Sequence, residues 1–97
     1  MKQEYREWYE EHPPVFTNEI QKLRTMGDQL VVCLSKGEDI AGDLMWGVNI
    51  RKKHEGGFKA VDHDLNRPFH DKEEAEEYFF RLETMADDWA RLAEYID

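Results

Sequence analysis

Residues 43–53 read DLMWGVNIRKK, in which Leu44, Trp46, Val48 and Ile50 alternate with Met45, Gly47, Asn49 and Arg51. A period of two belongs to a half-covered β-strand, because successive side chains point to opposite faces, so one face of this segment buries Trp46. Upstream, Gln29 to Leu34 is rich in Val and Leu and too short for a stable helix. It reads as a central strand covered on both faces. Lys36 to Gly42 supplies the turn residues between the two. Downstream, His54-Glu55-Gly56-Gly57 provides the glycines of a reversal, and Phe58 to Asp64 returns as a third strand. Residues 29–64 therefore predict a three-stranded antiparallel meander.

Helical spacing flanks this sheet. In residues 2–12, Tyr5, Trp8, Tyr9 and His12 fall on one face among Glu4, Glu7, Glu10 and Glu11, and Pro13 with Pro14 ends the run. A helix this short does not hold alone in water, so its aromatic stripe must pack on its own domain or on a partner. A second helix is expected over 17–27, capped by Thr17 or Asn18, carrying Ile20, Leu23 and Met26, and stopping at Gly27. A third is expected over 71–96. There Ala75, Phe79, Leu82, Ala86, Trp89, Ala93 and Ile96 recur in 4,3 spacing, widened by Tyr78, Met85 and Leu92, with Asp71 as N-cap and Glu74 as its capping partner. The fold class predicted is α+β. A single domain over residues 1–97 would have a three-stranded antiparallel sheet, two N-terminal helices and a long C-terminal amphipathic helix packed on one face.

The formal net charge is −9, distributed as −3 over residues 1–19, +2 over 20–60 and −8 over 61–97. That balance opposes general nucleic-acid binding, which depends on neutralising phosphates with Lys and Arg. The longest apolar run, Leu30 to Leu34, is five residues, against roughly 20 for a bilayer span. The N-terminus lacks the apolar core of a secretion signal, so neither membrane contact nor export is expected. The expected location is the cytoplasm, of the protein's own cell or of a host. Cys33, the single cysteine, lies within the apolar run and reads as a small buried hydrophobe.

Catalytic signatures are missing from the pattern. Cys33 and Ser35 are the only cysteine and serine, neither sits in a glycine-framed elbow, and Gly56-Gly57 is an isolated pair. Asp62-His63-Asp64 with His70-Asp71 has the residue types of a metal site, and a hydrolase or metal-dependent enzyme built on His63 and His70 would need it. In a strand, however, His63 points away from both aspartates, so no metal and no cofactor are expected. Arg51-Lys52-Lys53-His54 has no aromatic platform beside it and reads as a charged strand end facing the chain's own acids, not as a nucleic-acid contact.

The acidic C-terminal helix carries the functional expectation, since residues 71–97 hold ten acids against three bases. An ordered row of carboxylates can occupy a basic cleft, with steering at long range. Glu73, Glu76, Glu77, Glu83, Asp87 and Asp88 are the expected contacts, with Phe80, Trp8 and Tyr9 supplying local specificity. One acid per roughly 4 Å of helix is sparser than the ~1.7 Å charge spacing of duplex DNA, so any mimicry of a polyanion is partial. In size, acidity and the Phe-x-Asp-x-Glu-Glu-Ala helix start at Phe69 to Ala75, the chain resembles many small phage or mobile-element proteins, among them inhibitors of CRISPR effectors. The resemblance carries no functional residue across. It implies a non-enzymatic, phage-type inhibitor that binds a protein partner with a basic surface, such as a nucleic-acid-processing enzyme. The alternative is a structural or regulatory accessory protein that homodimerises through apolar helix contacts.

Overall fold

A computed structural model describes residues 1–27, 29–85 and 88. Along the chain lie α1 (Lys2–Glu11), β1 (Thr17–Met26), β2 (Leu30–Glu38), β3 (Leu44–His54), β4 (Gly57–Ala60), a 3-10 turn (His63–Leu65), β5 (Arg67–Phe69) and α2 (Lys72–Thr84). Among the described residues the sheet has five strands, ordered β1-β2-β3-β4 with β5 also pairing with β3, and the four pairings are antiparallel. The architecture is thus α+β with one N-terminal and one C-terminal helix. It overturns the expected three strands and two N-terminal helices.

The alternation in β3 holds from Trp46 onward, with Trp46, Val48 and Ile50 buried on one face, while Leu44 at the start of the strand is exposed. β2 is covered on both, because Leu30, Val32 and Leu34 join the core under α2 while Val31 and Cys33 join the core under α1. Two helices therefore sandwich the sheet from opposite sides. On the α2 side Ala75, Phe79 and Leu82 close the core; on the α1 side Tyr5, Tyr9 and Phe58 do so. Burying Phe79, Leu82 or Phe58 contributes about 1.5–3 kcal/mol each at most.

The segment read as a second helix is β1. Its Ile20 and Leu23 are three apart, a spacing that a regular strand would send to opposite faces and a helix to one. Two bulges resolve the conflict. The register with β2 slips between Thr17 and Glu19 and again between Ile20 and Lys22, each time placing an extra residue in β1. Past the second slip, Leu23 shares the α1 face with Ile20, while Met26 reaches the opposite core. The helical periodicity was a product of the bulges.

The expected third strand, Phe58 to Asp64, stops at Ala60, and a further strand, β5, forms at Arg67–Phe69 where the sequence predicts none. β4 pairs with Arg51–His54 of β3 and β5 pairs with Trp46–Val48. Between them Asp62 accepts a hydrogen bond from the Asp64 amide (2.9 Å), which turns the chain outward into the 3-10 segment. Asn66 returns to the sheet, where its Oδ1 accepts from the Ile50 amide (3.1 Å) and fills the missing rung. Pro68 lacks an amide hydrogen and sits in this short peripheral strand opposite Gly47.

α2 begins where expected: Asp71 Oδ1 accepts from the amides of Glu73 (2.8 Å) and Glu74 (3.3 Å). The helix is described to Thr84, with Met85 as its C-cap. Its expected continuation to residue 96, with Ala86, Asp87, Trp89, Leu92, Ala93 and Ile96, lies outside the described residues. Among the described residues no helix is long and apolar enough to cross a membrane.

Candidate functional site

The aromatic face of α1 is spent on the fold. Tyr5 and Tyr9 are buried, and the Tyr9 hydroxyl donates to the Thr17 carbonyl (2.6 Å). Trp8 is half-buried against Phe58, its ring stacks on His12 at 5.0 Å, and its Nε1 lies 2.9 Å from where a Cβ on Gly57 would project. A larger residue than glycine at position 57 would push the indole away. Arg51 lies under this helix, with its guanidinium 5.3 Å from the Trp8 ring and Nη1 donating to the Tyr5 hydroxyl. Burial raises the pKa of Tyr5, chiefly by desolvating the phenolate, and raises that of Tyr9 for the same reason. Burial likewise pushes the Cys33 thiol up to about 11. Lys53 pairs with Glu4 at 3.0 Å, so Arg51 and Lys53 of the basic run both serve to dock α1.

α2 sorts its acids by direction. Glu76 and Glu83 lean toward β1, where they pair with Lys22 (3.0 Å) and Arg24 (3.3 Å). The bulge that reversed the phase of β1 is what aims both cations at the helix. Glu73, Glu77, Phe80 and Thr84 stand at i, i+4, i+7 and i+11 in one outward row, all exposed. Glu77 is held by Arg81 one turn on (3.0 Å), and Phe80 exposes 59% of its surface between the two turns. Asp88 is exposed, and Asp87 lies outside the described residues. The structure thus brings Glu73, Glu77 and Phe80 into one ridge, sets Glu76 and Glu83 on its β1 flank, and removes Tyr9 from the surface.

His70 faces one carboxylate. Its Nε2 lies 2.8 Å from Asp39 Oδ2, across to the β2–β3 loop, and the His63 side chain lies outside the described residues. Among the described residues no group of three or more His, Cys, Asp or Glu could hold a metal ion. Asp39 organises that loop: its Oδ1 accepts from the amides of Ala41 and Asp43 (both 2.9 Å), and its own amide donates to the Asp43 carbonyl. The Asp43 amide, followed by His70, holds the Asp39 carboxyl below its ordinary pKa.

One surface escaped the sequence reading altogether. Val15 (89% exposed), Phe16, Ile40 (90%) and Leu44 come together at the end of the sheet where β1 starts and the β2–β3 loop turns. They derive from three separate segments, and no periodicity within any one of them marks the cluster. No family model matches this chain, and no curated protein or solved structure matches it.

Proposed function

We propose that this chain acts by binding a protein, with the outward ridge of α2 seated on a basic surface of the partner. The observation that carries the reading is Phe80, a large aromatic left 59% exposed in a row with Glu73 and Glu77. An apolar anchor ringed by carboxylates is the arrangement that gives both contact energy and electrostatic steering when the facing surface is basic. Glu76, Glu77 and Glu83 already have cationic partners in Lys22, Arg81 and Arg24, so the field offered to a partner is weaker than the acid count alone suggests. Recognition then leans on Phe80 and the acids beside it more than on mimicry of a polyanion. The uneven charge, −8 over residues 61–97, supports a partner that normally receives nucleic acid, and occupation of its basic cleft would inhibit it.

A photo-crosslinking side chain placed at position 80 tests this in extract of the cell that carries the gene, or of its host if the gene is viral. A single protein with a basic surface should be captured, and Glu73→Lys with Glu77→Lys should abolish the capture. Equal capture from position 80 and from a control site at Gln21, unaffected by the charge reversals, contradicts the reading.

A further inference from the structure

We infer that the open end of the sheet, centred on Phe16, docks an amphipathic segment of another protein whose bulky apolar side chains are flanked by Lys or Arg. The inference stands apart from the role assigned to α2. Phe16 borders three concavities, one of about 440 Å³ shared with Val15 and Leu44, one of about 420 Å³ shared with Ile40 and Met45, and one of about 190 Å³ shared with Val15, Met45 and Arg67. Of the large hydrophobic side chains exposed among the described residues, only Phe80 and Met85 lie outside this cluster. Single exposed apolar residues are ordinary, but a contiguous group with concave relief is a binding feature.

The fold holds this surface ready. The Phe16 carbonyl accepts from the Glu38 amide (3.0 Å), and its oxygen sits 1.8 Å from where a Cβ on Gly37 would stand. Only glycine lets the two backbones meet there. Ile40 is raised on the loop that Asp39 ties from within and His70 ties from outside. A display fixed before binding loses little entropy when it is occupied.

Charge selects the occupant. Among the described residues Glu19, Glu38, Asp39 and Asp43 lie on or beside the apolar group, against Lys36, Arg67 and the His70 ring already directed at Asp39, so acids outnumber fixed cations two to one. A second copy of this chain would bring the same acids against them and a net −9 with it, so self-association is opposed. A segment with apolar side chains and flanking cations satisfies both the concavities and the rim.

The test is an amide chemical-shift titration of the labelled protein with two synthetic helix-forming peptides, one of leucine and lysine, the other of leucine and glutamate. The lysine peptide should shift residues 15, 16, 40, 44 and 45 saturably. Val15→Ser with Ile40→Ser, at two nearly fully exposed positions where the fold asks nothing of the side chain, should weaken it at least about ten-fold. The glutamate peptide should leave these amides unmoved. Shifts confined to residues 73–84, binding unchanged in the double variant, or equal binding of both peptides would overturn the inference. So would shifts at residues 15, 16, 40 and 44 that grow with protein concentration alone, since those would assign the surface to a second copy.

Discussion

At the scale of single residues, Gly37 and Cys33 show how tightly positions are fixed. With the Phe16 oxygen 1.8 Å from the place of a Cβ, Gly37→Ala must move backbone. We expect a loss of about 1–3 kcal/mol, read from urea denaturation, with the Glu38 amide losing its exchange protection. Cys33 and Tyr5 predict the alkaline limb of stability. In the unfolded chain the thiol ionises near its ordinary value of 9.0 and the phenol near 10.0, whereas burial keeps both protonated in the fold to higher pH. The unfolded state then binds fewer protons, so the Cys33 contribution is whole below about pH 9 and declines as pH climbs toward about 11, and the Tyr5 contribution begins to decline near pH 10 and goes on declining above that window. Urea midpoints should fall across that window, and Cys33→Ala should show a shallower fall even though it starts from a lower midpoint. The burial of Cys33 was legible from its apolar run. That of Tyr9 was not, since the helical stripe shows which residues share a face but not whether that face meets its own sheet or a partner.

At the scale of elements, a helix entering on a capping aspartate and a strand with clean alternation were both readable, because each signal is local. α2 starts on Asp71 as its sequence implies, and Asp71→Ala should cost about 1 kcal/mol, measured by thermal or urea unfolding. β1 was not readable. Two extra residues turned a period of two into an apparent period of three or four, and bulges are set by pairing with β2, which lies outside the segment itself. β5 was hidden for a related reason: three residues containing a proline form a strand only because the outer edge of β3 stands open beside them. The strand assignment of β1 has its own check. Lys22 and Glu76 meet only if β1 runs under α2, so a double-mutant cycle with Lys22→Met and Glu76→Gln should give a coupling of about 0.2–1 kcal/mol that fades in salt. A coupling of zero at low salt would argue against this packing.

At the scale of the molecule, the sequence announced acidity and its concentration in residues 61–97, and composition alone carries that. How the acids are used is a property of the packed structure. Lys22 and Arg24 of β1 hold Glu76 and Glu83, Arg81 holds Glu77 within the helix, and the exposed ridge narrows to Glu73, the Glu77–Arg81 pair and Phe80. The apolar end around Phe16 was invisible for the same physical reason, since only sheet pairing brings residues 15, 16, 40 and 44 together. The most direct measurement is the affinity of Phe80→Ala, and of Glu73→Lys with Glu77→Lys, for the protein crosslinked from position 80, followed over a range of salt. We predict at least about a ten-fold loss for Phe80→Ala with the salt dependence kept, and a flattened salt dependence for the charge reversals. Wild-type affinity and wild-type salt dependence in both variants would contradict the account.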